Sequence, residues 1–161
     1  MIIFQQALTF SIPLTLLNVL VIRSRVKPFI QKNPDLKKGY RQMMIGFMCF
    51  ANLPSLVISL GHLSGYTQNL LEYFYPKSMN PAVLAFYASI GFILLLGAFW
   101  IYLGKGADFL AKHPGFIYFR ALGERRYMDS PKTIKTFWLL VLLMVTIGFL
   151  WLWHLDPGTL H

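Results

Sequence analysis

Apolar residues run along this chain in four long blocks, roughly 4–22, 42–63, 82–103 and 136–154, separated by polar segments. Each block is long enough for a bilayer crossing, which needs about 20 mostly apolar residues in helical form. The pattern predicts an all-α integral membrane protein with four transmembrane helices, 1–161 forming a single membrane domain.

The polar segments are unequal in charge. Of 15 Lys and Arg residues, seven fall in 23–41 and seven in 105–135, leaving Lys77 alone elsewhere. Short cytoplasmic loops carry such an excess, so 23–41 and 104–135 are expected inside and both termini outside. Arg23 and Arg25 follow the first block, and no basic residue precedes it. That reverses the charge order of a cleavable leader, so the block reads as a retained span. Trp100 and Trp138 then fall at inner span ends, while Trp151 and Trp153 fall at the outer end, as headgroup-level belts do.

Composition agrees with this picture. Hydrophobic residues make up 56% and charged residues 13%, against about 25% charged in a soluble domain. The net charge of +9 would suggest nucleic acid in a soluble protein. Here the placement of the basic residues accounts for it, and no nucleic-acid partner is expected. Anionic headgroups and neighbouring membrane subunits are the partners the pattern calls for, with Arg23, Arg25, Lys27, Lys37, Lys38, Arg41, Arg120, Arg125 and Arg126 at the contact. The setting is a multi-pass protein of a bacterial inner membrane or its equivalent, basic loops cytoplasmic.

A repeated phrase suggests how the spans are arranged. FIQKNPD at 29–35 and FLAKHPG at 109–115 share Phe, Lys and Pro at a shift of 80, which also lays the first span on the third. Gly61-His62-Leu63 resembles Trp153-His154-Leu155 around the histidine at a shift of 92. The expectation is two copies of one helix hairpin, entering the membrane in the same direction. Pro28, Pro34, Pro114 and Pro131 are expected to break the inner loops, since proline removes a helix donor. In the longer loop, FIYFRALGERRYM at 116–128 mixes aromatic and basic residues, as an interfacial helix would, with a solvated loop as the alternative.

No Asp, Glu, Lys or Arg lies deep in a span, which weighs against a pump or ion-coupled transporter. Weaker polar groups line up instead. Ser11, Thr15 and Asn18 share one face of the first span, and Asn52, Ser55, Ser59 and His62 share an arc of about 80° on the second. Such stripes normally face a neighbouring helix, where side chains hydrogen-bond across. Ala82, Ala85 and Ser89 offer a similar face on the third span.

Chemistry-bearing residues are few. Cys49 is alone, and no Gly-rich phosphate loop or Ser/His/Asp set is present. His62 and His154 lie 21 and 19 residues beyond Arg41 and Lys135, about 31 and 29 Å along a helix, so both rings reach the outer interface. Two imidazoles at one depth could ligate a haem iron, a pigment magnesium or another metal. A membrane enzyme acting on lipid would have to draw on Asp108, Glu124 and Asp129 of the inner loop. The leading expectation is a non-catalytic accessory, scaffold or assembly subunit; the alternative is a cofactor-binding redox or photosynthetic subunit using the histidine pair.

Overall fold

The computed structural model describes residues 7–121 and 124–154, with the backbone alone for 118–121 and 124–126. In chain order it contains α1 (Ala7–Lys32), α2 (Leu36–Leu63), two 3-10 turns (Leu70–Phe74 and Pro76–Ser78), α3 (Pro81–Tyr102), α4 (Gly106–Lys112), strands β1 (Tyr118–Ala121) and β2 (Glu124–Tyr127), and α5 (Pro131–His154). Helices α1, α2, α3 and α5 are long and apolar enough to cross a membrane. By that criterion of length and composition the chain is a multi-pass, helical membrane protein.

Two expectations about the inner segments are corrected. The first concerns 23–41, which is not a loop. Helix α1 runs through Pro28 to Lys32 and α2 begins at Leu36, so only residues 33–35 connect them. A proline inside a helix costs about 3 kcal/mol. Here the same turns bury Val26 and pack Phe29 and Ile30 against the main core, which offsets that cost. The turn comes at Pro34, which disfavours helical backbone at Asn33. Asn33 Oδ1 then accepts the amide of Asp35, and Asn33 O accepts the amide of Leu36.

The second correction concerns 116–128, which is neither an interfacial helix nor an irregular loop. It holds an antiparallel hairpin with Tyr118 opposite Tyr127, Phe119 opposite Arg126, Arg120 opposite Arg125 and Ala121 opposite Glu124. The amide of Met128 donates to Ile117 O just beyond the ladder. The run Phe116-Ile117-Tyr118-Phe119 is rich in the β-branched and aromatic types that suit strands, and Gly123 falls between the two strands in sequence.

The repeated phrases end helices in the same way and then meet. Lys32 closes α1 and Lys112 closes α4, each followed by one polar residue and proline. A side chain at Gly115 would strike the ring of Phe29, so the two phrases are in contact. They differ upstream. Helix α1 is continuous through Arg25, whereas the matching Lys105 takes left-handed backbone (φ 58°) between α3 and α4.

Helix α1 packs along α2, α2 packs on α3, and α5 touches α3 and α4. The main core gathers at the basic end of the molecule: Ile22, Val26, Tyr40, Met43, Ile101, Ala107, Leu110, Met128 and Ile134. A smaller cluster of Tyr73, Ala82 and Val83 sits at the other end. Between them the helix flanks stay open, with Leu95 and Met144 each 72% exposed. Lipid tails are as apolar as leucine, so nothing drives those flanks together, while residues beyond the hydrocarbon must bury apolar surface from water.

Candidate functional site

At the end away from the basic cluster the segment 64–80 is clipped to the helices beside it. Asn69 caps the first 3-10 turn through the amides of Leu71 and Glu72, and Glu72 Oε1 accepts the amides of Gln68 and Asn69 in return. The Tyr73 hydroxyl reaches Ile58 O (3.3 Å) and Thr67 Oγ1 (3.2 Å), while Tyr87 donates to Tyr73 O at 2.8 Å. Gly61 makes this possible, because a Cβ there would fall on the Tyr73 hydroxyl and on Ala82. Asn80 closes the segment by donating to Tyr66 O and accepting the amide of Ala82.

Beneath this clip lies a half-open cavity of about 720 Å³ between α3 and α5, its lining almost wholly apolar. Phe86, Tyr87 and Gly91 form one wall, and Thr146, Gly148 and Phe149 the other. Tyr87 and Phe149 meet edge to face across it at 5.2 Å. Its hydroxyls are engaged: Thr146 donates to Leu142 O of its own helix, and the two tyrosines are bonded as above.

The two histidines occupy different surroundings. His62 is half-buried, with Nδ1 3.1 Å from Thr67 O; His154 is exposed, with Nδ1 2.7 Å from Leu150 O on its own helix. A neutral ring donating from Nδ1 keeps its lone pair on Nε2, the tautomer a metal ligand requires. Among the described residues, no three His, Cys, Asp or Glu side chains gather as a metal site.

Polar groups of α1 and α2 come close at two points. Thr15 Oγ1 lies 3.3 Å from Asn52 Oδ1 and donates to Ser11 O at 2.7 Å, while Ser59 Oγ accepts the amide of Leu8. Ser11 Oγ is buried there without a partner, and Ser55 is half-buried. Asn18 is exposed and returns its amide to Leu14 O. On α3, Ala82 and Ser89 are buried and Ala85 is exposed.

At the basic end Arg23, Lys27, Lys37, Lys38 and Arg41 are exposed and Arg25 is half-buried. Arg120, Arg125 and Arg126 belong to the hairpin, where the backbone alone is described. Asp108 and Asp129 are exposed, apart from one another on α4 and ahead of α5. Under the basic surface, His113 fits over Gly39, where a Cβ would collide with its imidazole, and meets Tyr40 edge to face at 5.0 Å. The buried Tyr40 phenol donates to Pro114 O at 2.6 Å. The indole of Trp138 lies across Gly97, and Trp100 covers Gly104 and Gly106.

Comparison with protein-family models, curated proteins and solved structures gives no match for this chain. The feature sequence reasoning missed is the cavity. Its one advance signal was a pair of glycines, Gly91 and Gly148, within the third and fourth apolar blocks.

Proposed function

We propose that this chain is a non-catalytic accessory or scaffold subunit that packs against a larger membrane complex. Its basic segments, 23–41 and 104–135, lie on the cytoplasmic side and engage anionic headgroups, an attraction worth about 1 kcal/mol per Lys or Arg near the surface. The observation that carries this reading is α5. Ile134, at its inner end, is its buried residue among those described, while Leu143, Met144, Ile147, Leu150 and Trp151 are each at least half exposed. A helix so lightly held by its own chain is suited to be completed by another. In lipid such helix contacts rest on van der Waals packing and interhelical hydrogen bonds.

The test is purification from the native membrane in mild detergent, with mass measured by light scattering. A discrete hetero-complex is expected, and Ile147→Trp on the exposed flank of α5 should disperse it while the chain still inserts. A chain that elutes alone from every mild detergent would overturn the scaffold reading. The alternative, a haem-, pigment- or metal-binding subunit, draws support from the free Nε2 implied at His62 and His154. It requires visible absorbance or bound metal in the same sample, lost in both His62→Ala and His154→Ala.

A further inference from the structure

The cavity between α3 and α5 has a roof. The 3-10 turn Leu70–Phe74 contributes Leu70, Tyr73 and Phe74 to its lining, and the Tyr87–Tyr73 and Asn69–Glu72 hydrogen bonds hold that turn in place. Its volume of about 720 Å³ falls among small-molecule sites, which run from about 300 to 1,000 Å³. Residues 86–94 and 145–152 place it within apolar spans, so what lies outside its open side is hydrocarbon.

Three observations narrow the occupant. The hydroxyls of Tyr73, Tyr87 and Thr146 already donate to backbone carbonyls, so a sugar, nucleotide or peptide would find no free hydroxyl donor there and would leave most of its polar groups unsatisfied. Gly91 and Gly148 stand on opposite walls, and a Cβ added at either meets nothing within 4 Å. Glycine in a span ordinarily permits close packing, as Gly97 does beneath Trp138; these two leave space instead. Finally, the roof excludes a straight transmembrane helix of a partner, about 10–12 Å across, which would run into residues 70–74 before leaving the membrane.

We propose that this cavity is a lipid site that takes one acyl chain of a phospholipid in the leaflet nearest residues 64–80. The chain enters sideways from the bilayer, and its headgroup stays beside the roof. Transfer from bilayer to cavity gains no hydrophobic free energy. The hold comes from dispersion contacts with Phe86, Tyr87 and Phe149, which a packed tail makes more fully than a mobile one. Occupancy therefore exceeds that of the annular lipid by a modest factor, and the site is independent of any partner subunit.

The test uses the full chain in phosphatidylglycerol–phosphatidylethanolamine vesicles, doped with a phospholipid carrying a diazirine midway along one acyl chain. Photolysis and peptide mass spectrometry should find adducts on 86–91 and 145–149 several-fold above those around Leu95, a 72% exposed residue of α3. Gly91→Phe and Gly148→Phe fill the void and should bring cavity labelling down to the flank level. Gly46→Phe, which also meets nothing within 4 Å but lies on α2 outside the cavity, should leave it unchanged. Cavity labelling no greater than flank labelling in the unaltered chain overturns the proposal, and that comparison stands even if a filled variant fails to fold. Labelling that persists in folded Gly91→Phe and Gly148→Phe overturns it too. Loss of the adducts on adding a prenyl-tailed quinone at low mole fraction would overturn the acyl assignment.

Discussion

Tyr40 and Pro114 are joined across 74 residues by a 2.6 Å hydrogen bond from phenol to backbone carbonyl. The bond ties the start of α2 to the chain leaving α4, so it couples the two halves in which the repeated phrases occur.

Tyr40→Phe tests how much that tie contributes. The ring still fills its buried place, while Pro114 O loses its protein donor. Leaving a buried acceptor unsatisfied costs about 1–3 kcal/mol. Tyr102→Phe removes a bond of similar length to Lys135 O at an exposed position, where changes usually stay within about 0.5 kcal/mol. Thermal unfolding in detergent should show a clear drop for the first variant and little for the second. Equal melting temperatures would mean that the inner tie does not hold the fold.

The polar stripe makes a sharper demand than its spacing alone. Asn52→Leu removes the group that Thr15 meets across α1 and α2, and bonds of this kind in lipid average about 0.6 kcal/mol and reach about 1.7. Asn18→Leu removes an exposed amide bonded only to its own helix and should be neutral or slightly favourable in lipid. Denaturant titration in mixed micelles separates the two; a larger loss for Asn18→Leu would place a partner on that flank.

The expected orientation rests on 14 of 15 basic residues lying in 23–41 and 105–135. Single cysteines at Lys37, Ser78 and Thr159, in a Cys49→Ala background, report it directly. Lys37 and Ser78 are exposed, and Thr159 lies outside the described residues. A membrane-impermeant thiol reagent applied to intact cells should reach 78 and 159 and spare 37. Labelling of 37 with sparing of 78 would invert the topology.

The four spans were legible because the bilayer selects on length and apolarity, which a sequence carries residue by residue. Where each helix ends was not, since Pro28 reads as a stop until Val26 and Phe29 are seen packed on Tyr40 and its neighbours. The hairpin had its signs, Phe116-Ile117-Tyr118-Phe119 and Gly123, yet the basic residues among them also fit a surface helix. Of the site, the histidines and the α1–α2 stripe could be named in advance from helical spacing. The cavity could not, because a void belongs to no residue: it depends on how far α5 stands from α3, a distance set by packing elsewhere.

That distance gives α5 the character of a door leaf. Its buried residue, Ile134, and the indole of Trp138 sit at the inner end, while the cavity wall at 145–149 begins 11 residues further along. At 1.5 Å per residue, a tilt of about 5° pivoting at Ile134 moves that wall by about 1.5 Å. Changes in bilayer thickness are met by changes in helix tilt. The Tyr87–Phe149 ring contact is the strut that sets how far such a tilt can open or narrow the cleft.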